Sequence, residues 1–144
     1  MTIAVDFDGT IVTHENPKIG KPIPFAFATL KKLQEEHHRI ILWTAREGEL
    51  LDQAVAFCKE KGLEFYAVNS NYPEEPNMQS VLRPRKLTVD LFIDDRNLGG
   101  LPDWGVIYQM IHSGHPFSPL RDDTVYSQQP KRKGLLHSIL DHKR

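Results

Sequence analysis

Cysteine is almost absent. Cys58 stands alone among 144 residues, which excludes a disulfide within the chain and fits a reducing compartment. Its place on an apolar helical stripe makes it a small core residue rather than a reactive one. Long apolar runs are missing too. Nothing approaches the roughly 20 residues of a membrane span, and no basic start followed by an apolar stretch marks an export signal, so a cytoplasmic protein is expected. Net charge is also lacking: Lys+Arg 18 against Asp+Glu 19 leaves -1, which gives no global pull toward nucleic acid or membrane and makes any basic site local. Zinc-type histidine and cysteine spacing, internal repeats and low-complexity blocks are absent as well. What remains is the length of about one domain, enough to bury roughly 70% of the unfolded surface around one core.

What is present is organised around Thr2 to Thr10, TIAVDFDGT. Ile3, Ala4 and Val5 read as a strand buried on both faces, ending abruptly in acids and a glycine. Alternation along an extended chain puts Asp6 and Asp8 on one side and Phe7 in the core. Like charges held together raise each other's proton affinity, and a bound divalent cation relieves this. Gly9 permits a sharp turn, and Thr10 offers a hydroxyl beyond it.

Two more apolar runs end in the same way. Ile11 to Pro24, with three prolines and no clean period, reads as an ordered loop beside the carboxylates. Phe27, Leu30 and Leu33 mark an amphipathic helix opening at Pro24 and ending near His38. Ile40 to Trp43 is a second buried strand ending in Thr44, Ala45 and Arg46. Leu50, Leu51, Ala54, Val55 and Cys58 recur at helical spacing, with Gly62 as the C-terminal cap. Leu63 to Val68 is predicted as strand three, and a proline-rich loop fills 69–85. Leu87 to Ile93 is predicted as strand four, running into Asp94, Asp95 and Arg96. Trp104, Ile107, Tyr108 and Ile111 form a last stripe after Pro102. The whole predicts one α/β domain over 1–144, a doubly wound parallel sheet in an α/β/α sandwich with a Rossmann-like core over 1–114. Residues 115–144 form an irregular tail with a short helix at Leu135 to Leu140, and Lys131, Arg132 and Lys133 read as a solvated charge run.

Ligands of such sheets bind at the carboxyl ends of the strands, where strand order switches. Four carboxylates, a hydroxyl and an ammonium gather there, with Lys86 and Arg85 competing for the cationic role. Hard oxygen ligands favour Mg²⁺, which keeps several waters and partners phosphate. A carboxylate can attack phosphorus, and a second carboxyl can move the proton of the leaving group and of water.

DFDGT at 6–10, WTAR at 43–46, Lys86 and IDD at 93–95 resemble, in order and placement, the four motifs of the haloacid dehalogenase superfamily. The likeness spans residues 3–95. It implies a phosphatase acting on phosphomonoesters through an aspartyl-phosphate, with Asp6 as nucleophile and Asp8 as general acid/base that also lends its backbone carbonyl to the metal. Thr44, with Ala45 in the same turn, and Lys86 would bind the phosphoryl group, and Asp94 and Asp95 would complete the Mg²⁺ site. The gaps between motifs are too short for a large cap domain, so the chain resembles the capless subgroup. TAR with DDR also resembles the phosphatase domain of polynucleotide kinase-phosphatases, which implies that Arg46 grips phosphate and offers a nucleotide or polynucleotide end as the alternative substrate. A response-regulator receiver, a signalling domain with a phosphorylated aspartate, has a similar inventory, but there the acid pair comes first and the phosphoacceptor lies on a middle strand. The expected partner is a small phosphorylated molecule rather than nucleic acid or membrane. Ile11 to Pro24 and Asn69 to Arg85, with Tyr72, Met78 and Leu82, are expected to form the rim of the site, alone or across a homo-oligomer interface.

Overall fold

Short apolar runs alternating with amphipathic stretches build β1 (Thr2–Val5), α1 (Ala26–Glu35), β2 (Arg39–Leu42), α2 (Gly48–Glu60), β3 (Ala67–Val68), β4 (Leu91–Ile93) and α3 (Trp104–His112). The computed structural model describes residues 1–74 and 86–117. Met78, Leu82, Arg85, Lys131 to Lys133 and the helix expected at Leu135 to Leu140 lie outside them.

The strands form one parallel sheet in the order β3-β2-β1-β4. The α/β class and the parallel pairing are as the sequence predicts. The chain moves outward from β1 through β2 to β3, then returns to the other side of β1, so the switch in strand order falls between β1 and β4. Ligands of parallel sheets bind beside the carboxyl ends of the strands at such a switch.

Alternation decides which side chain meets which layer. Ile3, Val5, Ile40, Leu42 and Ile93 join Leu30 and Leu33 of α1, Ala54 and Cys58 of α2, and Trp104, Ile107 and Ile111 of α3 in one buried cluster. Each large side chain fully buried there contributes about 2 kcal/mol. Cys58 is part of this cluster, and burial pushes its thiol up to about 12, so it is the packing residue expected from its stripe. On the other face Ala4, Ile41 and Ala67 are covered by Leu87, with Trp43, Tyr66, Val89 and Phe92 half-buried around them. Among the described residues, then, all three helices share one face, and an extended segment rather than a helix covers the other.

That segment shortens the predicted fourth strand. Leu87 and Val89 are apolar because they lie across the sheet, and pairing with β1 begins only where Asp90 N–H donates to the Thr2 carbonyl at 2.9 Å. The third strand is shorter as well: Leu63 is buried under α2, and the chain reaches β2 only at Tyr66, whose N–H donates to the Ile40 carbonyl at 2.8 Å. Helix α1 ends at Glu35 instead of near His38 because His37 takes a left-handed conformation (φ 65). His37 N–H then reaches the Gln34 carbonyl at 2.9 Å and His38 N–H the Leu33 carbonyl at 3.0 Å, the closure that Gly62 provides for α2. No described helix is long and apolar enough to cross a membrane.

Helix α3 also braces the turn after β1. The buried Trp104 indole N–H donates to the Thr10 carbonyl at 3.0 Å. Trp104→Phe keeps most of the ring contact but strands that carbonyl, so unfolding in urea is expected to show a loss of about 1–2 kcal/mol. An unchanged midpoint would mean that the bond does not hold the turn.

Candidate active site

β1 ends at Val5, but its pairing runs one residue further: Asp6 N–H donates to the Ile93 carbonyl at 3.0 Å. Asp6 and Asp94 therefore leave neighbouring strands at the same level. The chain then coils, with the N–H groups of Thr10, Ile11 and Val12 all directed at the Phe7 carbonyl at 3.3, 3.0 and 3.1 Å. Gly9 is needed in this turn for two reasons. Its φ of 89° is left-handed, and a Cβ there would collide with the Asp95 carboxylate. Thr10, fully buried, donates its hydroxyl to Asp6 Oδ2 at 3.3 Å and accepts the Asp95 backbone N–H at 3.0 Å. One side chain thus ties the first acid to the last.

Carboxylate oxygens of Asp6, Asp94 and Asp95 lie within 4.8 Å of one another. Burial, above all, pushes the Asp6 carboxyl up from 3.8 to about 6; the charges of Asp94 and Asp95 add to this, while hydrogen bonds from the Phe7 backbone and Thr10 oppose it. Asp95 Oδ1 is buried with no hydrogen-bond partner among the described residues, which in a finished site would cost about 1–3 kcal/mol. An all-oxygen donor set, crowded negative charge and an orphaned buried acceptor fit a hard divalent cation such as Mg²⁺.

Asp8 is the departure from the sequence reading. Phe7 turns into the core as the alternation predicts, but the carboxylates within reach of one another are those of Asp6, Asp94 and Asp95, and Asp8 is not among them. Asp8 instead accepts two N–H groups from Arg46, Nε to Oδ2 and Nη2 to Oδ1, both at 2.7 Å. Arg46 is 1% exposed. It also donates to the Pro17 carbonyl at 3.1 Å and the Lys18 carbonyl at 2.7 Å, and its guanidinium lies 5.1 Å from the Phe7 ring centre. A guanidinium so committed has little left for a substrate phosphate, which removes the particular contact behind the polynucleotide comparison.

Thr44 Oγ1 accepts the Arg46 backbone N–H at 3.2 Å, which leaves its own hydroxyl proton to donate. Ala45 is exposed, and its N–H has no acceptor among the described residues. Lys86 is exposed, with its ammonium 5.5 Å from the Phe92 ring centre and no ion pair among the described residues. The 11–24 loop folds back on itself through a Val12–Pro22 bridge, with Thr13 N–H on the Lys21 carbonyl at 2.8 Å and Ile23 N–H on the Ile11 carbonyl at 2.9 Å. It is the ordered loop expected beside the acids, and Arg46 is what fastens it there. The sequence reading missed Asn69, whose Oδ1 accepts the Thr44 backbone N–H at 2.8 Å. Its signal was its position, one residue beyond a strand end.

Fold and site together define an α/β protein with an acidic, cation-fitting centre at the switch point of a parallel sheet. No family model and no curated protein matches the chain. Among solved structures, a conserved protein coded by a locus from Bacteroides thetaiotaomicron is 59% identical, with a TM-score of 0.72, over 83% of this chain and 98% of that one. The chain belongs to the same family as that conserved protein.

Two outcomes follow from this geometry. Arg46→Met leaves a buried carboxylate unpaired and frees the 17–18 backbone, and is expected to cost about 3 kcal/mol in urea unfolding; a loss below about 1 kcal/mol would show the pair to be solvated. The second concerns pH. Asp6 binds its proton more tightly folded (about 6) than at its ordinary value of 3.8, so metal-free stability falls as pH rises through that window. Asp6→Asn removes the slope and should be more stable than wild type above about pH 7 in chelator, with the difference vanishing below about pH 4. Parallel stability curves would contradict the assignment.

Proposed function

We propose that the protein is a Mg²⁺-dependent phosphomonoester hydrolase of the capless haloacid dehalogenase type, working through an aspartyl-phosphate on Asp6. The observation that supports this most is the Asp6, Asp94 and Asp95 cluster at the β1–β4 switch, with a buried oxygen of Asp95 that has no hydrogen-bond partner among the described residues. Asp6, Asp94 and Asp95 would hold the cation with their carboxylates and Asp8 with its backbone carbonyl. When bound, Mg²⁺ supplies positive charge that keeps Asp6 ionised and neutralises phosphoryl oxygens.

In the first step a carboxylate oxygen of Asp6 forms a bond to phosphorus while the bond to the leaving oxygen breaks, and that oxygen takes a proton from Asp8. In the second, water attacks phosphorus, gives its proton to Asp8, and the Asp6–phosphorus bond breaks to release phosphate. The Thr44 hydroxyl, the Ala45 N–H and Lys86 hold the phosphoryl oxygens. Asp8 faces two N–H donors of Arg46, an arrangement that suits an acceptor. To donate a proton, one of its oxygens must turn from the guanidinium toward the leaving group.

Asp6→Asn should fold and lose phosphate release by about 10³-fold or more, because an amide does not attack phosphorus. Asp8→Asn should cost more with an alkyl than with an aryl phosphate, since only the poorer leaving group needs the proton. More than trace turnover by Asp6→Asn would end the covalent mechanism, and equal losses on both esters would remove Asp8 from the acid role. A phosphate-release screen across sugar, nucleotide, oligonucleotide-end and phosphopeptide substrates, with and without Mg²⁺, tests the activity and names the substrate class.

A further inference from the structure

The exit of β3 reaches across to the exit of β2. Asn69 N–H donates to the Leu42 carbonyl at 2.8 Å, which carries the β2–β3 ladder one residue past Val68. Its backbone then turns left-handed, with φ 50, a conformation that asparagine tolerates better than most side chains. From this turn Asn69 Oδ1 accepts the Thr44 backbone N–H at 2.8 Å. Thr44 is the second residue after β2, where the chain has left the sheet and has no ladder partner for that N–H. From Thr44 the connection continues: its Oγ1 accepts the Arg46 N–H at 3.2 Å, and Arg46 holds both oxygens of Asp8 at 2.7 Å.

We propose that Asn69 is a positioning residue for the hydrolase reaction, an inference that rests on the function proposed above. Its side-chain oxygen fixes the Thr44–Arg46 turn, and through it both the Thr44 hydroxyl and the Asp8 carboxylate, relative to Asp6. In-line attack on phosphorus tolerates little displacement, and a shift of about 1 Å in a positioned group costs about 10²-fold in rate. Thr44 needs such a brace because it sits on a turn, where only hydrogen bonds set the backbone. Asn71 makes a parallel tie, with Oδ1 accepting the Thr88 N–H at 2.7 Å two residues from Lys86. The same short stretch after β3 thus orients both segments that would carry phosphate-binding groups.

Two substitutions separate the hydrogen bond from the backbone. Asn69→Gly accepts the left-handed conformation but has no side-chain oxygen, whereas Asn69→Asp keeps an acceptor of the same shape. With a phosphomonoester and Mg²⁺, Asn69→Gly is expected to lower kcat by about 10- to 100-fold with a smaller change in KM, and Asn69→Asp to recover most of that loss. In the metal-free protein the Thr44 amide should exchange hydrogen about tenfold faster in Asn69→Gly and return toward the wild-type rate in Asn69→Asp. Wild-type kcat in Asn69→Gly, or unchanged Thr44 exchange, would overturn the proposal. A wild-type protein that releases no phosphate from any ester would be the failure of the hydrolase reading instead, and Thr44 exchange would still decide whether Asn69 holds the turn.

Discussion

The ion pair between Asp8 and Arg46 is where three parts of the molecule meet. Asp8 belongs to the coil after β1, Arg46 to the turn after β2, and the carbonyls of Pro17 and Lys18 to the loop that folds over that coil. A buried charge pair adds little net stability over a well-packed apolar contact, but one left half-made is costly. The two charges therefore act as a register: the loop and both strand exits lie together in the arrangement that gives the guanidinium its four hydrogen bonds, two to Asp8 and two to the loop. Phe7, buried beneath the guanidinium, completes the seat.

Against that frame the acidic centre is held under tension. Asp6, Asp94 and Asp95 are brought within reach of one another by parallel pairing and by the Thr10 hydroxyl, although mutual repulsion and burial both oppose it. The fold keeps this arrangement at the expense of a raised proton affinity on Asp6 and of a buried Asp95 oxygen with no hydrogen-bond partner among the described residues. In the proposed reaction the same strain is useful, because charge arriving at the centre relieves it.

How much of this was legible in the sequence follows from how locally each feature is encoded. The exits of β1, β2 and β4 were readable because continuous apolar runs stop at polar residues, and the parallel sheet followed from the alternation of strand and helix. The lengths of β3 and β4 were not: Leu63, Leu87 and Val89 are as apolar as strand residues but serve as packing beside the sheet. The end of α1 was hidden because His37, a residue with a Cβ, takes the left-handed position that Gly62 advertises in α2. The partner of Asp8 was hidden for a different reason: it lies 38 residues away. The buried place of Arg46 could not be read from a motif in which an arginine after threonine suggests an exposed anion ligand.

The proposed reaction turns on phosphorylation of Asp6. The most direct measurement is to quench the protein with borohydride while it turns over a phosphomonoester with Mg²⁺, then locate by peptide mass spectrometry any carboxyl reduced to the alcohol. An acyl phosphate is reduced where a free carboxylate is not. Reduction is expected at Asp6, dependent on both substrate and cation. Reduction at a different acid, or an unreduced Asp6 in protein shown to be releasing phosphate, would contradict the proposed reaction.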